Sequence, residues 1–188
     1  MEKVESKYYH SLYQVAAAIN SARASEPVLN SIVENVAKAM EAKACSLTLL
    51  TPDRKLLFHA AAWGLSDWFV KMGPLSADKS IAETLDGKPA AVLDATRDKR
   101  IQYPEQVKKE GIASILSVPM VLREEIIGVV RVYTAEPRRF SEADIHFVGA
   151  VANLGAIALE NAKLYEVAQK DYQVVMQEML EWRSPLGS

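Results

Sequence analysis

Residues 140–182 read FSEADIHFVGAVANLGAIALENAKLYEVAQKDYQVVMQEMLEW, and this stretch decides the fold. Ser141 followed by the acidic residues Glu142 and Asp144 is typical of a capped helix start. No proline interrupts the chain from there until Pro185. The stretch therefore predicts a single helix of about 40 residues, roughly 60 Å long.

Apolar residues recur along this helix at alternating steps of four and three, which is the spacing of a coiled coil. Such a helix is longer than the diameter of a domain of this size, so its second half needs a partner to bury its apolar stripe. Asn161 at a seam position would fix the register of that pairing. The predicted seam comprises Phe147, Val151, Leu154, Ala158, Asn161, Tyr165, Ala168, Tyr172, Val175, Met179 and Trp182.

Two apolar strands joined by a tight turn precede the helix. They span residues 114–123 and 126–134 and are the clearest hairpin in the chain. An earlier hairpin is predicted from strands at residues 44–51 and 56–63, and a further short strand from residues 89–93.

Helical spacing predicts a first helix over residues 2–24 and a second over residues 26–43. Shorter helices are predicted within residues 80–86 and 104–110, each followed by a glycine. Residues 64–80 show no clear period and are expected to form a loop segment. The order of elements predicts an α+β fold, in which helices flank an antiparallel sheet.

The composition describes a globular domain with extensions. The 188 residues carry a net charge of −2 with a pI near 6.0, which leaves no excess of Lys and Arg for a nucleic-acid or anionic-membrane surface. The single cysteine, Cys45, fits a reducing compartment. The chain start has no signal-peptide core and no apolar run suits a bilayer, so we expect a cytoplasmic location without direct membrane contact.

Several motifs, taken in their order and spacing, resemble those of GAF domains. They are residues 112–120 (IASILSVPM), 126–133 (IIGVVRVY), 140–144 (FSEAD) and 156–162 (AIALENA), with 60–65 (AAAWGL) and 94–100 (DATRDKR) upstream. The resemblance covers most of the stretch from Pro27 to Leu164. It implies a central antiparallel sheet of about six strands, helices packed on one face, a ligand pocket under loops on the other face, and a long C-terminal signalling helix.

The resemblance also implies a role, because GAF domains sense or regulate within larger signalling proteins, often as dimers. We therefore predict a small-molecule-sensing domain that passes a ligand-dependent change to an output domain such as a kinase. The predicted parts are an N-terminal dimerisation helix at residues 1–25, a GAF domain at 26–164 and a C-terminal coiled-coil or linker helix at 165–188. Two alternatives stay open, namely a free methionine sulfoxide reductase-like enzyme and a ligand-free dimerisation module.

The candidate ligand site is predicted from Arg131, which lies in the middle of an apolar strand. An unpaired charge is costly in a main core, so the face that carries Arg131 should be the wetter one and hold the cavity. His59 and Trp63 alternate together on the second strand and suit a cavity lining. The predicted ligand-binding residues are His59, Trp63, Tyr103, Leu116, Val118, Met120 and Arg131. The alternative is that Arg131 pairs with a loop carboxylate such as Asp94 or Asp98 and that Trp63 belongs to the core.

No arrangement of residues predicts catalysis or a metal site. Asp94, Asp98 and Arg100 have no further acid or base placed beside them, and turn capping is the favoured interpretation. No His-x-x-x-His or Cys-His spacing occurs, so neither a metal site nor a catalytic triad is expected. The sequence does not identify the ligand.

Single positions test the specialised branches of the family. A covalent bilin needs a cysteine over the pocket, whereas Cys45 lies in the first predicted strand. Cyclic-nucleotide binders carry an Asn-Lys pair and an Asp-Glu pair, whereas here no Asn-Lys pair occurs and Ile145 follows Asp144. The reductase branch resolves a sulfenic acid with another thiol, which a single cysteine does not provide. We therefore predict no enzymatic activity and no bilin.

Residues 181–186 (EWRSPL) resemble the phosphoacceptor box of histidine kinases, in which a histidine precedes this motif. Leu180 stands at the histidine position, so no phosphorylation could occur there. Chance similarity is the favoured interpretation of so short a motif. The alternative is the degenerate box of a kinase-like protein.

Overall fold

The computed structural model describes residues 2–21, 25–77 and 82–183, and the structural statements below refer to these residues. The predicted long helix is confirmed as the last element. In chain order the elements are α1 (Glu2–Ser21), α2 (Ser25–Ala39), β1 (Ala44–Leu50), β2 (Leu56–Trp63), α3 (Asp67–Val70), β3 (Leu75–Ser76), α4 (Ala82–Leu85), β4 (Ala90–Val92), α5 (Pro104–Lys109), β5 (Ser114–Leu122), β6 (Glu125–Thr134) and α6 (Glu142–Arg183).

The strands form one six-stranded sheet in the order β3-β2-β1-β6-β5-β4, and all neighbouring strands run antiparallel. The predicted α+β fold is thereby confirmed. Sequence patterns do not predict β3 or α3, because two strand residues or a single helical turn are too short to show a period.

Helices α1, α2 and α6 cover one face of the sheet and enclose the main core. This core joins Ile32 of α2 and Val151 of α6 to Leu47, Leu116 and Val130 of the central strands, all fully buried. Burying a side chain of this size contributes about 1.5–3 kcal/mol. The other face is covered by the short elements between β2 and β5, which form a smaller core of their own.

The start of α6 is held by a network of polar contacts around Asp144. The Asp144 carboxylate accepts a hydrogen bond from the Ser141 backbone N–H at 2.8 Å, and the Ser141 hydroxyl accepts one from the Asp144 backbone N–H at 3.2 Å. This reciprocal pair is the predicted helix cap. Arg138 donates to Asp144 at 3.0 Å and to the Met40 carbonyl at 2.6 Å, which ties the end of α2 to the start of α6.

Helix α1 joins the same network through Tyr8. The Tyr8 hydroxyl donates to Asp144, and its ring stacks on Phe147 with a centroid distance of 4.1 Å. Burial, together with the neighbouring carboxylate, raises the pKa of Tyr8 to about 12. The first helix is therefore part of the folded domain.

The two halves of α6 have different surroundings. Phe147, Val151 and Ala158 of the predicted seam are buried in the main core, whereas every residue from Lys163 to Met179 is exposed. The early seam residues therefore serve the domain core. By length and composition the segment Glu142–Met179 could also cross a membrane, but 44% of its most apolar window is buried in the domain, so this is weak evidence.

We predict that Tyr8→Phe lowers the free energy of unfolding by about 1.5–3 kcal/mol, because it removes a buried hydrogen bond to a charged acceptor and keeps the ring stack. Urea unfolding followed by circular dichroism measures the change. Tyr9→Phe is the matched control. Tyr9 is 73% exposed, so this substitution should leave the free energy of unfolding unchanged. Equal stability of Tyr8→Phe and the native protein would contradict the prediction.

Candidate functional site

An enclosed cavity of about 20 Å³ lies on the loop side of the sheet, opposite the helix layer. Side chains of β2, β5 and β6 form its floor, and α3, α5 and the loop before α5 cover it. The lining residues are His59, Phe69, Met72, Leu75, Ile101, Gln102, Tyr103, Val107, Ile115, Arg131 and Tyr133. Mostly apolar walls with a few polar groups are typical of small-molecule sites.

The register of the central strands brings the polar groups of the floor together. Ser117 on β5 and Ser46 on β1 both lie opposite Arg131 on β6, so the three side chains form a row on one face. The Ser46 hydroxyl lies 2.9 Å from the hydroxyl of Tyr133, two residues further along that face. The polar row is buried, and Arg131 is 5% exposed.

Three of the seven residues predicted for the site line the cavity, namely His59, Tyr103 and Arg131. Leu116, Val118 and Met120 do not. In β5 they alternate with Ser117, which lies opposite Arg131, so their side chains point to the other face of the sheet. They are at most 3% exposed and lie in the main core beneath the helices. The prediction that they line the cavity is wrong.

A β-bulge explains why Trp63 is also absent from the lining. The register with β1 steps from Ala61 to His59 between consecutive residues of β1, so Ala60 is left over in β2. This extra residue reverses the alternation. His59 consequently faces the cavity, whereas Trp63 packs against the main core. The two rings therefore do not share a face, contrary to the prediction, and Trp63 is a half-buried residue at the edge of the main core.

The cover of the cavity is built from residues that sequence patterns do not predict. Phe69 and Met72 come from α3 and the turn after it, and Ile101 and Gln102 come from the loop before α5. These segments have no strand or helix periodicity, so nothing local indicates which side chains point inward. Tyr133 is different, because it follows Arg131 by two residues in a strand and shares its face.

The electrostatics of the cavity favour a neutral His59. Burial, and then the positive charge of Arg131, lower the pKa of the imidazole to about 4. Its buried Nδ1 atom has no hydrogen-bond partner within the part of the chain that the structure describes. Burial also lowers the pKa of Arg131, and Tyr133 counteracts that effect. A neutral imidazole can offer a ligand either a donor or an acceptor.

Asp94 and Asp98 are engaged in their own turn. The Asp94 carboxylate accepts hydrogen bonds from the backbone and the hydroxyl of Thr96, at 3.1 and 2.7 Å. The Asp98 carboxylate accepts from the guanidinium of Arg100 at 2.7 Å. Both carboxylates therefore cap their own turn, in agreement with the turn-capping interpretation.

Cys45 lies in the main core on the helix side of the sheet and is fully buried. Burial raises the pKa of its thiol, so it stays protonated and is a poor nucleophile. Within residues 2–21, 25–77 and 82–183, no group of three or more His, Cys, Asp and Glu side chains could hold a metal ion.

A sequence model of the GAF domain matches residues 22–160. The chain belongs to the GAF domain family. A curated relative, the phosphoenolpyruvate-dependent phosphotransferase system of Escherichia coli (strain K12), is 26% identical over 155 residues, which are 81% of this chain. The chain spans 21% of the length of that relative. The family indicated by the motifs is thus confirmed.

Solved GAF domains share the fold. The GAF domain of an Acinetobacter phosphoenolpyruvate-protein phosphotransferase superposes with a TM-score of 0.71 at 24% identity, covering 83% of this chain and 94% of that one. The corresponding domain from Coxiella burnetii gives 0.76 at 20% identity, with 86% and 97% covered. The free methionine-R-sulfoxide reductase of Neisseria meningitidis gives 0.70 at 15% identity, with 84% and 90% covered.

We predict that His59 makes stability fall on mild acidification. A histidine whose folded pKa of about 4 lies below its unfolded value of 6.5 contributes stability that is fully present above pH 6.5 and is lost as the pH falls toward 4. His59→Gln should therefore flatten the dependence of the unfolding free energy on pH in this window, as measured by urea unfolding. His146→Gln, at an exposed position on α6, is the control. An unchanged slope in His59→Gln would contradict the prediction.

Proposed function

We propose that this GAF domain is a small-molecule-sensing regulatory module, which dimerises through its terminal helices and passes a ligand-dependent change along α6 to an output domain. The observation that carries the proposal is the continuity of α6. One helix, Glu142–Arg183, backs the sheet in its first half and extends beyond the core in its second. Any shift of the first half of α6 against the sheet would therefore also move the far end of this helix.

The exposed half of α6 supports dimerisation. Tyr165, Tyr172, Val175 and Met179 of the predicted seam are 40–67% exposed and recur at steps of seven, three and four, which places them along one side of the helix. An apolar stripe of this length on a free helix is unfavourable in water. A second copy of the same helix would bury it symmetrically, and Asn161 in the stripe would set the register.

The central strands offer a path from the cavity to α6. In β5, Ile115 lines the cavity, whereas Val118 and Met120 pack beneath α6. Met120 lies close enough that a Cβ atom on Gly155 of α6 would sit 3.3 Å from its methyl group. A ligand acts through such a path only if it binds one packing of helix and sheet more tightly than another.

The comparisons support a role within a longer protein. The curated relative is a phosphotransferase system protein of which this chain covers about a fifth, and we propose that the chain regulates a phosphate-transferring output domain at a cytoplasmic location. A kinase is the alternative output domain, indicated by the resemblance of residues 181–186; residues 184–186 of that motif lie outside the described part of the chain.

A ligand-free dimerisation module is the second candidate. The observation that favours it is the volume of the cavity, about 20 Å³, which is far below the ~300–1,000 Å³ typical of ligand pockets. The reductase alternative has less support. Its solved relative is only 15% identical, and the thiol of Cys45 is buried on the opposite face of the sheet from the cavity.

We predict that Tyr172→Glu with Val175→Glu converts a dimer into a monomer, because two charges in the apolar stripe would be buried against each other. Sedimentation velocity measures the change. The matched control is Val167→Glu with Val174→Glu, which lies on the same exposed half of α6 but off the stripe. An identical sedimentation coefficient for native and Tyr172→Glu/Val175→Glu proteins would contradict dimerisation through α6.

We predict that protein purified from cells carries, or takes up from a metabolite panel, a small molecule that raises its melting temperature. A ligand at 100 times its Kd stabilises the folded state by about 2.7 kcal/mol. Native mass spectrometry and thermal shift measure binding, and His59→Phe should weaken it whereas His146→Phe should not. No bound mass and no shift across the panel would favour the ligand-free module.

A further inference from the structure

The segment of residues 64–73 covers the cavity between β2 and β3 and has the construction of a hinged lid. Glycines with positive φ angles stand at both ends, Gly64 at +77° and Gly73 at +119°. Between them lies α3, a single turn. Glycine is the residue that adopts such backbone conformations without strain. A Cβ atom on Gly64 would also clash with the Lys43 carbonyl oxygen, so this end is held in place, whereas nothing lies within 4 Å of a Cβ atom on Gly73, which is the freer end of the segment.

Two side chains of this lid fill the space above the polar floor. Phe69 is 4% exposed, lines the cavity with Met72, and packs edge-to-face on Tyr133 with ring centroids 6.4 Å apart. The cavity that remains beside these two side chains has a volume of about 20 Å³, which accommodates roughly one water molecule. A molecule larger than water can therefore enter only if lining side chains such as Phe69 and Met72 move aside.

The lid is attached to the rest of the domain by few polar contacts. Its backbone N–H groups at Phe69, Val70 and Lys71 donate to carbonyls within the segment. Contacts to α5 lie at two places in the segment. The Glu110 carboxylate at the end of α5 accepts from the Ser66 backbone N–H at 2.8 Å and from the Ser66 hydroxyl, and the Lys109 ammonium lies 4.5 Å from the centre of the Trp68 ring. Glu110 is buried, so this charge-assisted contact is shielded from water.

We propose that residues 64–73 are a lid latched by Ser66 and Glu110, and that Phe69 and Met72 occupy the place of the ligand's apolar group. This rests on the proposed sensing function and deepens it. The ligand class that fits is a small molecule with a flat or thioether-like apolar group, sized to replace the two side chains, and a polar group that hydrogen-bonds His59. Opening the lid exposes Phe69 and the cavity walls together. A ligand is then bound by replacing Phe69 and Met72, the two side chains that form the plug of the cavity.

Hydrogen exchange measured by mass spectrometry on the full chain tests the latch. Glu110→Gln should accelerate exchange of the amides of residues 69–71 by about tenfold, because it weakens a charge-assisted contact, and should leave exchange in β1 and β6 unchanged. The matched control is Glu105→Gln, at an exposed position on the same helix, which should change neither. Exchange that stays constant in the lid, or that rises equally in lid and sheet, would overturn the latch.

Binding of indole, a flat apolar probe with one N–H donor, tests the plug. Phe69→Ala should bind indole about tenfold more tightly than the native protein, because the ring no longer competes for the space. Tyr13→Ala is the control, since Tyr13 is a 74% exposed aromatic residue of α1, outside the lid and the cavity lining. Should Phe69→Ala not fold, Phe69→Leu frees part of the same space. A folded variant with no gain in indole affinity would overturn the plug.

The outcomes separate the lid from the sensing function. Lid exchange and indole binding report on residues 64–73 directly, so they can succeed even if no metabolite binds the native protein. Conversely, a metabolite that stabilises the native protein while lid exchange and Phe69→Ala binding stay unchanged would support sensing and overturn the lid.

Discussion

The antiparallel pairing of β6 with both β1 and β5 is the constraint on which the rest of the structure depends. The backbone of β6 forms hydrogen bonds along both of its edges. The two faces of this strand therefore differ only in the side chains that they carry. Val130 and Val132 point into the fully buried helix-side core, and Arg131 and Tyr133 point to the cavity floor. A single strand thereby carries both the main core and the candidate site, and neither can shift without the other.

The terminal helices are coupled at one carboxylate. Asp144 is bonded by Tyr8 of α1, by Arg138 and by its own capping partner Ser141. Burial raises the pKa of Asp144, but these hydrogen bonds and the charge of Arg138 outweigh it and hold the pKa below its ordinary value. Helix α1 and the start of α6 are therefore joined as one body, which is the arrangement a signal along α6 requires.

The two faces of the sheet differ in how firmly they are built. The helix side is made of three long helices with a continuous apolar core, and the loop side is made of α3, α5 and short strands that bury polar groups. Short elements with few core contacts open more readily than long ones. The candidate site thus lies where opening requires the least disruption of the domain.

Much of the architecture follows from the sequence alone, because its signals are local. The Ser141 cap, the uninterrupted period of α6, the two hairpins and the charge of Arg131 in an apolar strand predict the fold and the side of the sheet that holds the cavity. Which residues line that cavity was decided by the tertiary structure. Alternation cannot show that Ala60 is bulged, that Leu116 faces the helices, or that Phe69 folds over the floor. Strand register, bulges and loop packing depend on partners distant in the chain, and no local pattern encodes them.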